Sequence, residues 1–203
     1  MIKVVVDTDY FRFITRDCSD SVLFLKIMEV LECAPIMHEY VYKEELHEHS
    51  FVKKLVQDGY LTIVDYDSLT SDEENKNEYI RLFKFAYYEM NCKKFEGNNI
   101  KEYRHEKENL GEIHSVILAK ILGYSLMMSN DGEARTFIEK KLNTSKNSIK
   151  VVNIELTFIE MITPNISKLK WPDIKNYLTP LKNSESIKDK DKYNRIRNVW
   201  CNC

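Results

Sequence analysis

Short apolar runs alternate along the chain with longer stretches in which apolar residues recur at helical spacing. The first run, IKVVV at residues 2–6, is rich in β-branched residues and suits a strand buried on both faces of a parallel sheet. Four further runs predict strands at residues 34–37, 61–64, 125–128 and 149–152. Strands that alternate with helices form right-handed βαβ units. The pattern therefore predicts an α/β fold with a parallel β-sheet flanked by helices on both faces.

Helical spacing is found in three further stretches, at residues 22–31, 41–55 and 110–121. A longer helix is predicted over residues 71–90, where the chain begins with Ser-Asp-Glu-Glu and carries an aromatic stripe. We interpret that stripe as core packing rather than as a platform for stacking bases. Residues 91–109 are polar and contain Gly97 and two consecutive Asn residues, so we predict a mobile loop. A loop of this length inside a compact domain is often functional.

Length and charge predict one domain with an appendage. The chain has 203 residues, of which 43% are apolar, enough for a single core over residues 1–165. We expect residues 166–203 to form a basic C-terminal extension that is helical or partly disordered. From Lys168 to Cys203 there are nine Lys or Arg and four Asp or Glu, a balance of +5, so the net charge of −2 leaves −7 on the preceding 167 residues. A basic tail can neutralise phosphates, and it can equally be a solvated end.

The cysteine content bears on the cellular compartment. Five cysteines are an odd number, and the chain opens on MIKVVVD without the features of a secretion signal. These features predict a reducing, cytoplasmic location and no disulfide framework. No apolar run approaches the roughly 20 residues that span a bilayer, so we expect a soluble protein with no membrane partner.

Acidic residues follow two of the predicted strands. Asp7 and Asp9 come directly after the first apolar run, and Asp131 follows the run at residues 125–128. Because parallel strands end at the same edge of a sheet, and ligands bind at that edge, we expect these carboxylates to meet. Asp9 has the alternative role of a helix cap.

Helices between the strands supply further carboxylates. Glu112 stands in the first turn of a predicted helix, and the small residues Ser115 and Ala119 on its face allow a close approach to the sheet. After the second predicted strand, either Glu44 or Glu45 could face the same edge. We prefer Glu45 because it directly precedes the apolar Leu46, and we keep Glu44 as the alternative.

Carboxylates that converge need compensation. Two charges 4 Å apart repel by about 1 kcal/mol in water and by about 4 kcal/mol at an effective dielectric constant of 20. Oxygen ligands favour Mg²⁺ or Mn²⁺, which can activate a water for attack on a phosphodiester. Zinc is disfavoured, because His47 and His49 are two residues apart and no pair of cysteines has the spacing of metal ligands.

These residues resemble the PIN-domain ribonucleases, a family that includes the toxins of many bacterial toxin-antitoxin pairs. The similar segments are VVVDTDYF, VYKEEL, LGEIHSVILAKILGYSL and MMSNDGEAR, which together extend over residues 1 to about 155. The resemblance implies a PIN-like nuclease domain that hydrolyses single-stranded RNA. It also implies Asp7, Glu45, Glu112 and Asp131 as the catalytic, metal-binding acids. A homodimer and an antitoxin partner are further expectations from the same resemblance.

The match has departures and accessory candidates. The family often has Asp where Glu112 stands, so the longer side chain is expected to alter the distance to the metal. Asp9 and Glu44 are reserve metal ligands, and Glu133, two residues after Asp131, is an auxiliary one. Lys and Arg residues of the loop and the tail are expected to position the RNA backbone without reading bases. We further expect substrate contacts from three residues near the late strand end, although the first two could equally be turn residues: Ser129, Asn130 and Arg135.

Two other functions fit parts of the pattern. The DTDY segment resembles the opening of haloacid-dehalogenase-like phosphatases, and SND resembles the late acidic strand end of that superfamily. Against this reading, no Gly-Thr follows the first acids, no Lys motif precedes the late strand, and Glu112 would have no role. A PIN fold without catalysis, kept for contacts with protein or RNA, is the other alternative.

Overall fold

The computed structural model describes residues 1–15, 22–97, 99–105, 108–145, 147–162 and 169–201. Its centre is a five-stranded sheet in which every neighbouring pair is parallel. The strands are β1 (Ile2–Val6), β2 (Cys33–His38), β3 (Thr62–Val64), β4 (Leu126–Met128) and β5 (Lys150–Val152). Their order across the sheet is β3-β2-β1-β4-β5. The predicted α/β class is confirmed, and each strand lies within one residue of its predicted bounds.

Helices connect the strands and cover both faces of the sheet. The α-helices before β4 are α1 (Thr8–Thr15), α2 (Val22–Val30), α3 (Ser50–Gln57), α4 (Tyr66–Leu69), α5 (Glu73–Asn91) and α6 (Leu110–Ile121). Those after it are α7 (Gly132–Phe137), α8 (Ile154–Leu156), α9 (Trp171–Ile174), α10 (Thr179–Asn183) and α11 (Ile187–Cys201). The described ranges also contain three π-helical turns, at Val41–Glu45, Ile138–Leu142 and Thr157–Ile162.

The central strand β1 divides the interior into two cores. Val4 and Val6 belong to one core and Val5 to the other, and all three are fully buried. Successive residues of a strand point to opposite faces, which explains why a doubly covered strand is an uninterrupted apolar run. The first core contains residues of α1, α2 and α3, and the second contains residues of α5, α6 and α7.

Helix α5 carries the aromatic stripe that the sequence predicts. Its N-cap is Asp72, whose carboxylate accepts a hydrogen bond from Asn75 N. Tyr79, Phe83 and Tyr87 are buried in the second core, so the interpretation as core packing is confirmed.

The described part of the C-terminal extension is helical and belongs to the first core. Ile174, Leu178, Ile196 and Trp200 are buried there among residues of the first helices. The predicted boundary at residue 165 lies outside the described residues. Within the described ranges, no helix is long and apolar enough to cross a membrane.

The polar segment between α5 and α6 is anchored through Glu108, which is only 3% exposed. Its carboxylate accepts hydrogen bonds from Tyr87 Oη at 2.5 Å and Tyr103 Oη at 2.7 Å and pairs with Lys93. Asn91 Nδ2 donates to the carbonyl of Glu108 at 3.0 Å. The segment was predicted to be mobile, but these contacts fix its two described ends to α5.

Candidate functional site

Two neighbouring strands deliver acids to one edge of the sheet. Asp7 follows β1, and its N–H donates to Met128 O at the end of β4 over 3.0 Å. Asp131 lies three residues beyond Met128 and is the N-cap of α7, where its carboxylate accepts from Ala134 N at 2.6 Å. The strand-end placement expected from the apolar runs is therefore present.

Asp7 is fully buried and held by hydroxyl and amide donors. Its Oδ1 accepts from Thr8 N at 2.9 Å and from Ser115 Oγ at 3.3 Å, and its Oδ2 accepts from Ser129 Oγ at 3.0 Å. Burial raises the pKa of the Asp7 carboxyl well above its usual range, and the negative charge of Glu112 raises it further. Thr8, Ser115 and Ser129 fix the orientation of the Asp7 carboxylate, but these neutral donors bring no positive charge to compensate its ionised form.

Asp9 joins the same edge from the first turn of α1. Its Oδ1 accepts from Asn130 N at 3.1 Å and from Ser129 Oγ at 3.4 Å. Burial raises the pKa of Asp9, and the charge of Asp131 contributes in the same direction. This side chain therefore binds the end of β4 and lies close to the other acids.

Glu45 lies against the beginning of α6. Thr8 Oγ1 donates to Glu45 Oε2, and the Gly111 N–H donates to the same carboxylate. Burial raises the pKa of Glu45, while these two hydrogen bonds and the charge of Arg12 partly offset that rise. Arg12 Nη2 also donates to the Glu45 carbonyl at 2.5 Å.

Glu44, the neighbour of Glu45, has a different partner. Its Oε1 lies 2.8 Å from Nε of Arg104, which belongs to the segment between α5 and α6. The structure thus brings Glu45 to the acids, as preferred from the sequence, and pairs Glu44 with an arginine.

Glu112 lies in the first turn of α6. Burial raises the pKa of the Glu112 carboxyl to about 7, and the charges of Glu45, Asp131 and Asp9 raise it as well. These interactions make neighbours of four acids that are up to 124 positions apart in the chain: Asp7, Glu45, Glu112 and Asp131.

The remaining predicted site residues have other contacts. Glu133 is exposed and accepts a long hydrogen bond of 3.4 Å from Asn109 Nδ2, and Arg135 pairs with Glu139 at 2.8 Å. Neither Glu133 nor Arg135 lines the cleft that opens beside Asp9, Glu45 and Glu112. The Ser129 hydroxyl binds Asp7 and Asp9, and Asn130 Oδ1 accepts from Ile154 N at 3.0 Å.

A cleft of about 1330 Å³ opens beside the acids. Its lining contains Asp9, Glu45 and Glu112 together with Arg12, Arg104 and three histidines. Carboxylates and cations therefore share one cavity, an arrangement that can hold a metal ion and an anionic ligand together.

The acids are of the ligand type that a divalent cation prefers, but they are not spaced to coordinate one. Within the part of the chain that the structure describes, no group of three or more His, Cys, Asp or Glu side chains is arranged so that it could hold a metal ion. Carboxylate oxygens are nonetheless the ligands that Mg²⁺ and Mn²⁺ prefer. Burial is the main cause of the raised pKa values of Asp7, Glu45 and Glu112, and the charges of neighbouring acids add to it, which a bound cation would offset. The donor set therefore fits a hard divalent ion by ligand type, and the carboxylates would have to move to enclose it.

Several residues that orient the acids have only weak sequence signatures. Thr8 and Arg12 are four positions apart on α1, which places both on the face toward Glu45. The sequence pattern marks Ser115 only as a small residue, whereas its hydroxyl donates to Asp7. A buried hydroxyl donor has no local pattern of its own, since its acceptor is 108 positions away.

His114 lies on α6 but faces away from the acids. Its ring stacks on His38 with centroids 4.7 Å apart, and Tyr79 Oη lies 2.5 Å from His114 Nδ1 and 3.1 Å from His38 Nε2. Both histidines are buried. They form a polar network in the second core, separate from the acidic edge.

Comparison of the chain with protein-family models, with curated proteins and with solved structures gave no match.

Proposed function

We propose that the chain is a metal-dependent endoribonuclease of the PIN type, which hydrolyses phosphodiester bonds of single-stranded RNA. Asp7, Glu45, Glu112 and Asp131 would bind one or two Mg²⁺ or Mn²⁺ ions. The observation that carries the proposal is the electrostatic proximity of these four acids, which come from separate elements, and the cleft that Glu45 and Glu112 line together with two arginines. An antitoxin partner, a homodimer and a cytoplasmic location belong to the same proposal and derive from the family resemblance.

The side chains around the acids have defined tasks in this proposal. Ser115 and Ser129 orient the Asp7 carboxylate, and Thr8 orients that of Glu45. The N–H of Ala134 orients Asp131. A bound divalent ion supplies a water of lowered pKa and stabilises charge on the phosphate oxygens.

The size of the cleft favours a polymer over a small phosphomonoester. Pockets for small molecules usually measure about 300–1,000 Å³, and this cleft is larger, about 1330 Å³. The rival phosphatase reaction would need Asp7 as an exposed nucleophile, yet Asp7 is 0% exposed and both of its oxygens accept hydrogen bonds. A non-catalytic binding module is the alternative that the following assay decides.

The test is cleavage of a synthetic single-stranded RNA with Mn²⁺ or with EDTA, by the wild-type protein and by Asp7→Asn and Asp131→Asn. We expect the wild-type protein to cleave the RNA in Mn²⁺ but not in EDTA. Both variants should have lost cleavage in Mn²⁺. Asparagine can replace Asp131 as a helix cap. At position 7 its amide oxygen can accept the hydrogen bonds that Oδ1 accepts, and its NH2 group can donate to the Ser129 hydroxyl, so thermal unfolding should show folded proteins. Asp58→Asn, an exposed position at the end of α3, is the matched control.

Each result has a definite meaning. Wild-type activity in both Asp7→Asn and Asp131→Asn would overturn the proposed site. Absence of cleavage by the wild-type protein, with RNA still bound, would favour the binding module. Cleavage of DNA in place of RNA would keep the metal-dependent chemistry and overturn the substrate.

A further inference from the structure

Arg104 stands out among the residues of the cleft because, within the described part of the chain, three contacts engage its Nε and Nη1 groups and none engages its Nη2 group. Its Nη1 donates to the carbonyls of Lys101 at 2.8 Å and Tyr103 at 3.0 Å, and its Nε pairs with Glu44 at 2.8 Å. In the ranges described, Nη2 makes no hydrogen bond. The side chain is 41% exposed and lines the cleft, so this donor group is accessible to a ligand.

The guanidinium rests on an aromatic platform. Its Cζ lies 5.0 Å from the centroid of the Tyr40 ring, which is only 8% exposed. The Tyr40 ring also stacks on the buried His114, with centroids 4.7 Å apart, and the backbone N–H of Tyr40 donates to His38 Nδ1 at 3.0 Å. A cation over a fixed ring loses little conformational freedom when it binds a ligand.

The platform belongs to the same piece of chain as Glu45. Tyr40 immediately precedes the π-helical turn Val41–Glu45, and Glu44 within that turn pairs with Arg104. The position of Arg104 relative to the acids is therefore set by a few residues of one turn. The segment that carries Arg104 is itself fixed by the buried Glu108.

The negative charge of the carboxylates in the cleft explains why a bound RNA strand would need a cation there. A phosphodiester strand that reaches Asp9, Glu45 and Glu112 meets three carboxylates, and it is held there only if cations bind its other phosphates. Arg12 also lines the cleft and donates through Nη2 to the Glu45 carbonyl, whereas Arg104 has in addition an aromatic ring beneath its guanidinium. A planar guanidinium can bind one carboxylate along one edge and one phosphate along another.

We propose that Arg104 binds a phosphate of the RNA strand next to the one that is cut, through its Nη2 group, while Glu44 and Tyr40 hold the guanidinium in place. This inference rests on the proposed function, and it makes Arg104 a substrate-binding residue and Glu44 a positioning residue. The contact is to the backbone, so it carries no base preference.

Binding of a fluorescein-labelled, 12-nucleotide single-stranded RNA, measured by fluorescence anisotropy in EDTA, tests the contact without cleavage. We expect Arg104→Gln to weaken binding about 10-fold at low salt and to reduce the slope of log affinity against log salt by about 0.7, the value for one phosphate contact on a single strand. Glu44→Gln keeps the cation and an amide oxygen that can still accept from its Nε, so it should lose less RNA affinity than Arg104→Gln does. Arg81→Gln, which removes an exposed arginine paired with Glu78 outside the cleft, is the matched control.

Comparison of the two variants separates substrate binding from a structural role. If Arg104 serves only to hold Glu44, Arg104→Gln and Glu44→Gln will lose affinity equally, which overturns the inference. Wild-type affinity in Arg104→Gln, or no binding by the wild-type protein, overturns it too. If the wild-type protein cleaves RNA in Mn²⁺ and Arg104→Gln binds RNA with wild-type affinity, the nuclease proposal stands and the Arg104 contact is overturned. Arg104-dependent binding without cleavage would leave the phosphate contact standing and remove the nuclease.

Discussion

A β-carbon added at Gly111 would lie 2.5 Å from Glu45 Oε2, so the Glu45 carboxylate lies directly against the bare backbone of α6. The N–H of Gly111 also donates to that carboxylate. The absence of a side chain at position 111 is therefore what lets an acid from the turn Val41–Glu45 reach the helix that carries Glu112. Glycine in a helix costs about 1 kcal/mol relative to alanine, a cost that this contact explains.

Gly111→Ala should displace the Glu45 carboxylate and leave the fold intact. The clash involves the end of a flexible side chain, so the helix can keep its place while Glu45 moves. We expect Mn²⁺-stimulated cleavage to fall by about 10–100-fold, the usual effect of disturbing the surroundings of a metal ligand. The unfolding temperature should not fall, since alanine is the better helix former.

Gly132→Ala is the control for this change. Gly132 also stands in the first turn of a helix, α7, and an added β-carbon would meet nothing within 4 Å. Its activity should equal that of the wild type. Equal activity of Gly111→Ala and Gly132→Ala would show that the position of Glu45 does not matter for the reaction.

Glu112 should make the metal-free protein less stable as the pH rises. Burial and neighbouring acids raise its pKa to about 7, above the value of about 4.3 expected in the unfolded chain. Between these values the folded state binds more protons than the unfolded state, so the free energy of unfolding falls with increasing pH, by at most about 1.4 kcal/mol per pH unit for one group. Denaturation in EDTA from pH 5 to pH 8 measures this loss.

Glu112→Gln should reduce that pH dependence, and saturating Mn²⁺ should reduce it in the wild-type protein by compensating the charge. Asp7, whose pKa is also raised, is expected to keep part of the effect in the variant. An unchanged pH profile in Glu112→Gln would contradict the electrostatic coupling of the acids.

Glu108→Gln should destabilise the fold by about 1–3 kcal/mol at pH 7, because the donors around this buried carboxylate lose part of their acceptor. Burial by itself raises the pKa of Glu108, but the hydrogen bonds of Lys93, Tyr87 and Tyr103 outweigh it and lower the pKa to about 2. The stabilisation is therefore complete above the unfolded pKa of about 4.3 and is lost as the pH falls toward 2.

Urea denaturation of Glu108→Gln and the wild type at several pH values checks this assignment, with the exposed Glu96→Gln in the same segment as a control. The difference in unfolding free energy should shrink below about pH 4. A difference that stays constant down to pH 3 would exclude ionised Glu108 as the source of the stabilisation.

Tyr79→Phe should cost about 2 kcal/mol of stability by breaking the buried histidine network. Tyr40 N–H donates to His38 Nδ1, so neutral His38 carries its proton on Nε2 and donates to Tyr79, whose hydroxyl then donates to His114 Nδ1. Burial lowers the pKa of His38 to about 4 and holds that of His114 well below its usual range, so both are neutral at pH 7.

The hydroxyl of Tyr79 thus satisfies two buried nitrogens at once. Tyr88→Phe, on the exposed side of the same helix, should change stability by less than about 0.5 kcal/mol. Chemical denaturation of the two variants at pH 7 provides the comparison. Equal effects would mean that the network adds nothing to the fold.

Local patterns predicted the strands well because burial on both faces leaves an uninterrupted apolar run in the sequence. The same reasoning placed Asp7 and Asp131 at one edge, since parallel strands end together. It could not separate Glu44 from Glu45 firmly. Adjacent residues of a turn point in different directions, and only the contacts with Thr8 and Gly111 on one side and Arg104 on the other distinguish them.

By itself, then, the sequence determined the α/β class, the five strands and the convergence of acids at the carboxyl edge, because apolar periodicity reports burial residue by residue. Tertiary structure alone decided the strand order β3-β2-β1-β4-β5, the hydroxyl donors on Asp7 and the platform under Arg104. Those features join side chains that are distant in the chain, such as Ser115 and Asp7, and no local pattern records which donor will face which acceptor once the helices have packed.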